Sequence, residues 1–275
     1  MSKRFKAGPW LAIAFVAVCG VLAWKFYPRP ASGGSPPVSA EAPPPAGMPY
    51  EPEVAHPIEN VPVLPETEPA GPLPALADSD AVAWAALAGL LEGGDLATWL
   101  VPEHLVQRLV TTIDNLPRRD ITRQAYAARN VAGSLAVEGP EGGQVLGPAN
   151  FARYDAAVAT FEAIDARRLV SAYVRLYPLF DQAYREIGVP GRSFNDRLVE
   201  VIDHLLAAPD PGASLALVPV PGQPRWAFAD PRLEQASIGH KALWRMGPEH
   251  AARAWSRPRS ATRRSGAWAR NTPPA

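Results

Sequence analysis

The sequence predicts a mainly α-helical domain with one or two small β-hairpins, preceded by a single N-terminal transmembrane helix. Three observations support this prediction. An uncharged, apolar run lies near the N-terminus, and fifteen of the 32 prolines fall between Pro28 and Pro74. Beyond them, apolar residues recur at helical spacing along most of the chain. Residues 73–250 are enough for one soluble domain with a substantial core.

The composition limits the classes of function. The formal net charge is zero, so no overall charge favours nucleic acid as a partner. The single cysteine, Cys19, lies in the apolar run, which excludes a disulfide framework and a cysteine-based zinc site from the domain. No two histidines have metal-ligand spacing beside a carboxylate, and the sequence contains neither a Gly-x-Ser-x-Gly elbow nor a phosphate-binding glycine loop. We therefore expect no cofactor, no metal, no nucleic-acid partner and no recognisable catalytic residue.

The N-terminal run predicts an uncleaved membrane anchor. Residues 7–24 carry no charge and would span roughly 27 Å as a helix, close to the hydrocarbon thickness of a bilayer. Trp10 and Trp24 stand near its two ends, where aromatic side chains suit the membrane interface. Basic residues precede the run and are scarce just after it, so residues 1–6 should stay in the cytoplasm. In a Gram-negative bacterium, the anchor would lie in the inner membrane and the domain in the periplasm.

Two other interpretations of the N-terminus stay open. A cleaved signal peptide has a shorter apolar core and a cleavage site of small residues, whereas this run ends in Trp24-Lys25-Phe26-Tyr27-Pro28. The second is a lipoprotein signal, because Val16-Ala17-Val18-Cys19 has the general pattern of one. Against it, Val18 is bulky where a small residue is expected, and apolar residues continue past Cys19.

Residues 28–72 predict a disordered, proline-rich tether. Its prolines favour polyproline II, and its few large apolar residues cannot compensate the entropy lost on ordering. The composition suits a passive spacer, and it also suits a docking strip for a proline-binding partner or the cell wall. Residues 251–275 are predicted to form an irregular basic tail. Outside the cytoplasm, this tail would bind anionic lipid or a wall polymer more readily than DNA.

Start and stop signals divide the domain into six or seven helices. Asp78-Ser79-Asp80 opens the first helix, and Gly93-Gly94 ends it. Pro102 suits the first turn of the second helix, which we expect to end at Asp114-Asn115, before Pro117. At that end, the asparagine is suited to a left-handed cap.

Later helices follow the same rules. Asn150 is predicted to cap one helix, and Pro178 to break or kink another before Gly188 ends it. Ser193 is predicted to cap a helix that stops at Pro209.

Two short hairpins and a last helix complete the domain. A short hairpin or a loop is predicted within residues 118–148. A hairpin is predicted with strands at 215–220 and 225–228 around a proline-bearing turn. Asp230-Pro231 then opens a helix that we expect to continue to Gly247.

Two groups of residues are candidate binding sites. The first combines carboxylates and arginines near predicted helix ends, which suit either an ion-pair and capping network or a cleft for an anionic or peptide ligand. The second is a series of aromatic residues around Pro178, which suit either core packing or a groove for a partner helix or peptide. The residues that we select from both groups are Asp114, Arg153, Tyr177, Phe180, Tyr184, Asp196 and Arg197.

Several strings in the domain share their order and spacing with a known bacterial family. They include Thr112-Ile113-Asp114-Asn115-Leu116-Pro117-Arg118, Leu176-Tyr177-Pro178-Leu179-Phe180-Asp181-Gln182-Ala183-Tyr184, Phe194-Asn195-Asp196-Arg197 and Phe228-Ala229-Asp230-Pro231. Over residues 73–250, the chain resembles the family known as domain of unknown function 3014. The resemblance implies an anchored envelope protein with a proline-rich tether, and it brings no activity and no site residues. The one departure is at residues 254–275, where family members continue into a closing helix and we expect a frameshifted or truncated end.

These observations lead to two hypotheses of different classes. The first is a non-enzymatic interaction or structural domain in the envelope, whose anchor at residues 7–24 and tether raise its effective concentration at an envelope protein or a cell-wall polymer. The second is an envelope hydrolase that acts on peptidoglycan or a related polymer through Asp114 and Asp196. The hydrolase requires both carboxylates to face a cleft, whereas a structural network would engage them with arginines and backbone N–H groups.

Overall fold

A computed structural model of the protein describes residues 54–63, 71–91, 96–120, 126–188, 191–212 and 214–255. The predicted anchor, most of the predicted tether and residues 256–275 lie outside these ranges. The predicted end of the first helix at Gly93-Gly94 is wrong, because that helix already ends at Ala88, with Gly89 after it. Within the ranges, no helix combines the length and the apolar character that crossing a bilayer requires.

The described residues form a mainly helical domain with a small antiparallel sheet, in agreement with the predicted class. The α-helices are α1 (Asp80–Ala88), α2 (Leu105–Asn115), α3 (Pro148–Phe151), α4 (Asp155–Glu162), α5 (Ala166–Glu186), α6 (Phe194–Leu206), α7 (Pro231–Glu234), α8 (Ile238–Met246) and α9 (Pro248–Trp255). The strands are β1 (Val137–Glu138), β2 (Val145–Leu146), β3 (Leu215–Pro219) and β4 (Trp226–Phe228). Short 3-10 turns lie at Ile58–Asn60, Leu76–Asp78, Leu96–Thr98 and Ala152–Tyr154.

The main core lies where α2, α5 and α6 pack against one another, with α1 against α2 and α5. Apolar residues recur on one face of α2 and are almost fully buried there: Leu105, Val106, Leu109, Val110 and Ile113. Burying each such side chain stabilises the fold by roughly 1.5–3 kcal/mol relative to leaving it in water. This core positions the end of α2 beside the start of α6, where the candidate site lies.

Both predicted hairpins are present, and the structure joins them into one sheet. The strand order is β1-β2-β3-β4, with every neighbouring pair antiparallel. The link between the hairpins is the pairing of Val145 with Ala216 and of Leu146 with Leu215. A second, smaller apolar cluster forms under this sheet, where Trp244 of α8 packs against Phe228.

The predicted start of the second helix is wrong. Pro102 is not its first residue, because α2 begins at Leu105 and His104 before it adopts a left-handed conformation with φ of 53°. Two backbone N–H groups at this end are bound from another helix. Asp80 of α1 accepts from His104 N at 2.7 Å and from Leu105 N at 2.8 Å. The predicted left-handed cap at Asn115 is also wrong, since Asn115 is helical and right-handed Leu116 follows it.

Pro178 does not break its helix, since α5 runs continuously for 21 residues. The proline removes one backbone donor and costs roughly 3 kcal/mol in a helix interior. Leu176, Leu179 and Phe180 flank it and are all buried, so packing on both sides keeps the helix together. The helix is followed, as predicted, by Gly188, which has φ of 93°.

The remaining end signals give mixed results. Ser193 caps α6 as predicted, with its Oγ accepting from the backbone of residues 195 and 196. Asn150 is not a cap, because Gly147 precedes α3 and the buried Asn150 amide instead donates to the carbonyl of Arg245. The predicted last helix is divided into α7 and α8, and Ser237 caps the second part. Helix α9 extends into the range predicted as an irregular tail.

Candidate functional site

The buried carboxylate of Asp114 lies at the last turn of α2. Arg197, from the first turn of α6, donates its Nε to Asp114 Oδ1 at 2.8 Å. Arg118 donates to Oδ2 at 3.0 Å. Arg197 also donates to the main-chain carbonyl of Asp114 at 2.7 Å, which satisfies an acceptor that a helix end leaves open. The side chain of Asp114 is only 6% exposed, so arginines take up both of its oxygens in an enclosed position.

Arg197 is held as a cation by these contacts. Burial alone would lower the pKa of its guanidinium. The hydrogen bond to Glu200 and the charge and hydrogen bond of Asp114 outweigh burial and raise the pKa. Arg197 is thus a charged bridge between two helices, an arrangement that suits a structural ion pair.

Asp196 is the next residue along α6, yet it binds a different part of the chain. Its Oδ1 accepts from the backbone N–H of His56 at 2.6 Å and lies 3.0 Å from the His56 ring Nδ1. Its Oδ2 accepts from the backbone N–H of Ala55 at 3.2 Å. Adjacent Asn195, which is buried, donates its side-chain amide to the His56 carbonyl at 2.8 Å. The structure therefore holds a segment of the predicted tether against the start of α6.

A third set of hydrogen bonds fixes the turn before α6. Tyr177 Oη lies 2.9 Å from Ser193 Oγ and donates to Asp181 at 3.3 Å. Asp181 Oδ1 also accepts a hydrogen bond from the backbone N–H of Phe194 at 3.1 Å. Burial is the main cause that raises the pKa of Tyr177, so its phenol stays protonated near neutral pH. This half-buried tyrosine is a positioning group for the turn.

Phe180 and Tyr184, the other two selected aromatic residues, are core residues. Phe180 stacks on Phe194 with ring centroids 5.7 Å apart, and Tyr184 packs on the same ring at 5.5 Å. Burial is also the main cause that raises the pKa of Tyr184, with the negative charge of Asp114 adding to it. Neither ring presents a face that a partner could contact.

Arg153 belongs to another region of the domain. Its guanidinium donates to the carbonyls of Ala132 and Gly133 and to the side chain of Asn150. Beside it, burial raises the pKa of Tyr154 to about 12. Arg153 therefore tethers the loop before β1 to the start of α4, and none of these contacts connects it with Asp114.

The selected residues thus fall into separate places. Asp114 and Arg197 form one ion pair, and Asp196 and Asn195 bind the segment around His56. Sequence reasoning did not identify the segment around His56 as the partner of Asn195 and Asp196, because about 140 residues separate it from them. The proline-rich composition around His56 also favours disorder. The Ser193 cap signal did locate the turn that carries the pair.

A small cavity lies between α1, α2 and α5. It has a volume of about 20 Å³ and an apolar lining: Ala83, Leu87, Leu109, Leu169, Ala172, Tyr173, Leu176 and Phe180. That volume suits about one water molecule, which would find few polar partners there. In the part of the chain that the structure describes, no three His, Cys, Asp or Glu residues are grouped to hold a metal ion.

Comparison with known proteins agrees with the resemblance seen in the sequence. A family described as "Protein of unknown function (DUF3014)" matches residues 105–257, from the first residue of α2 to just beyond α9. No curated protein and no solved structure matches the chain. Since the family match spans more than half of the sequence, the chain belongs to the DUF3014 family.

Proposed function

We propose that this protein is a single-pass inner-membrane protein whose periplasmic domain is a non-enzymatic interaction or structural module. The observation that carries the proposal is the state of Asp114. Its carboxylate is buried, and Arg118 and Arg197 occupy its two oxygens. A carboxylate whose two oxygens both bind arginines in this way holds helices together.

The hydrolase alternative gains no support from this geometry. Paired carboxylates in glycoside hydrolysis face one substrate from two sides, with one of them free to transfer a proton. Here Asp114 faces Arg118 and Arg197, whereas Asp196 faces the backbone of residues 55 and 56. The two carboxylates thus serve different contacts, and the apolar cavity is lined by neither of them.

The membrane part of the proposal rests on the sequence. Residues 7–24 have the length and apolar character of a spanning helix. Three basic residues lie in the six positions before it, and basic residues are scarcer just after it. An anchor of this kind, followed by a proline-rich segment, would keep the domain close to the membrane. Envelope proteins or cell-wall polymer within that reach would be its partners.

A pair of fusion reporters tests the topology. One reporter that is active only outside the cytoplasm and one that is active only inside it are each fused after Ala275. We expect activity from the external reporter alone. As a control, Val16→Arg places a charge in the middle of the run, which costs about 2.5–3.5 kcal/mol on insertion, and should reduce that activity. Activity from the internal reporter alone, or a mature N-terminus beyond Tyr27, would contradict the proposal.

Site-specific photo-crosslinking in intact cells separates an interaction role from a structural one. Crosslinkers are placed at Ile187 and Leu206, which are 40% and 36% exposed. A crosslinker at buried Leu205 is the matched control on the same helix as Leu206. An interaction module predicts one defined adduct that depends on an exposed position. If all three positions give the same adducts, or if none gives an adduct, the interaction role is contradicted and only the structural role remains.

A further inference from the structure

Residues 54–63, called the strap here, lie against the domain although their composition resembles a linker. Pro57 is extended, and the following residues form a 3-10 turn at Ile58–Asn60. Val61 then packs against the main core. The strap thus contacts the domain through polar groups near residues 55 and 56 and through the apolar side chain of Val61.

The polar contacts recognise the main chain of the strap. The two oxygens of Asp196 accept from two consecutive backbone N–H groups, those of Ala55 and His56. Asn195 donates to the carbonyl of His56. The ring of His56 makes one side-chain contact with Asp196. Three main-chain groups are therefore bound, as in the recognition of an extended peptide.

The two recognising side chains are themselves held in position by the domain. Asn195 is only 4% exposed, and its Oδ1 accepts a hydrogen bond from Tyr173 at 3.0 Å. This bond leaves the amide nitrogen of Asn195 directed at the strap. Ser193 accepts from the backbone N–H of Asn195 and is fixed in turn by Tyr177. The site is therefore supported by two half-buried tyrosines of α5, Tyr173 and Tyr177.

We propose that Asn195 and Asp196 form a clasp for an extended peptide main chain, and that the strap is its occupant within the same molecule. A closed clasp shortens the free connection between anchor and domain. Between Tyr27 and Val54 lie 26 residues, which reach at most about 90 Å; between Tyr27 and Leu73 lie 45, which reach at most about 155 Å. Opening the clasp thus lengthens the reach of the domain. This consequence rests on the proposed anchoring, whereas the clasp itself does not.

Hydrogen–deuterium exchange on the full-length protein in detergent tests the clasp. Asp196→Ala removes the acceptor for the strap, and Asp203→Ala is the matched control, because Asp203 is an exposed residue of the same helix. We expect exchange in residues 54–61 to accelerate by about tenfold or more in Asp196→Ala, with the α2 and α5 amides unchanged. If the strap exchanges equally fast in the wild-type protein, in Asp196→Ala and in Asp203→Ala, the proposal is overturned.

Substitutions in the strap distinguish main-chain from side-chain recognition. His56→Pro removes a bound N–H, whereas His56→Ala removes only the ring. We expect the proline variant to accelerate exchange at residues 58–61 clearly more than the alanine variant. If the two variants behave alike, recognition of the main chain is refuted.

A synthetic peptide tests whether the clasp binds a strand in trans. A fluorescently labelled peptide with the sequence of residues 54–63 is titrated into full-length His56→Pro protein, and its anisotropy is measured. The peptide should not bind to the double variant that carries both His56→Pro and Asp196→Ala. No binding to either protein would overturn the clasp as a peptide site. These results do not depend on membrane insertion, so they can fail or succeed independently of the topology experiment.

Discussion

Arg197 binds both the side chain and the main chain of Asp114, at 2.8 and 2.7 Å, and so ties the last turn of α2 to the first turn of α6. The two residues are 83 positions apart in the sequence. The contact combines an ion pair with the satisfaction of a helix-end carbonyl. It is a polar link between two helices of the main core.

Replacing Arg197 tests the strength of this link. Arg197→Ala would leave the enclosed carboxylate of Asp114 with the single partner Arg118. We expect a loss of roughly 3 kcal/mol in the free energy of unfolding, the lower end for a broken buried pair. Arg118 is 59% exposed, so Arg118→Ala should cost no more than about 1 kcal/mol. Urea denaturation measures both, and similar losses from the two variants would contradict the assigned difference.

The environment of His204 leads us to expect that the protein loses stability in mild acid. Burial is the main cause that lowers its pKa from the ordinary value of about 6.5, and the nearby His240, stacked 4.2 Å away, lowers it further. Below pH 6.5 the unfolded chain therefore binds a proton that the folded protein resists. The free energy of unfolding should fall as the pH decreases from about 6.5 toward the lower folded pKa.

The variant His204→Asn separates this effect from general acid sensitivity. It should flatten the dependence of unfolding free energy on pH between 5 and 7, as measured by urea denaturation. His104→Asn is the control, because His104 is exposed and asparagine tolerates its positive φ. An unchanged slope in His204→Asn would exclude His204 as the source.

Gly247 is required by two independent constraints. It has φ of 96°, and a Cβ there would come within 2.6 Å of the Phe151 ring. Gly188 shares the first constraint, with φ of 93°, but a Cβ there meets open space. We expect Gly188→Ala to cost about 1–3 kcal/mol from backbone strain alone and Gly247→Ala to cost clearly more. Thermal unfolding measures the difference, and equal losses would show that Phe151 moves aside freely.

Asp80 links α1 to the start of α2 through two backbone N–H groups. Asp80→Ala should cost about 1 kcal/mol, as loss of a helix cap typically does. Asp78, two residues earlier and exposed, gives the control variant Asp78→Ala, which should stay within about 0.5 kcal/mol. A larger loss from Asp78→Ala than from Asp80→Ala would refute the cap.

Much of the fold was predictable because its signals are local. The apolar spacing of α2 and the Ser193 cap each depend on residues within one or two helical turns. The candidate site was only partly predictable. Asp114, Asp196 and Arg197 were selected together, but nothing in the spacing shows that Arg197 faces Asp114 while Asp196 faces the strap. Adjacent helical residues point about 100° apart, and the packing of the helix decides what each one meets.

The helical class, the hairpin at residues 215–228 and the resemblance to the DUF3014 family follow from the amino-acid sequence alone, because periodicity, capping residues and short motifs depend on neighbouring positions. Two other features depend on the folded chain: Asp80 caps a helix other than its own, and α5 continues through Pro178. The folded chain also joins the two hairpins in one sheet. Contacts between distant segments depend on how whole elements pack, and packing energy there outweighs the local preference of any single residue.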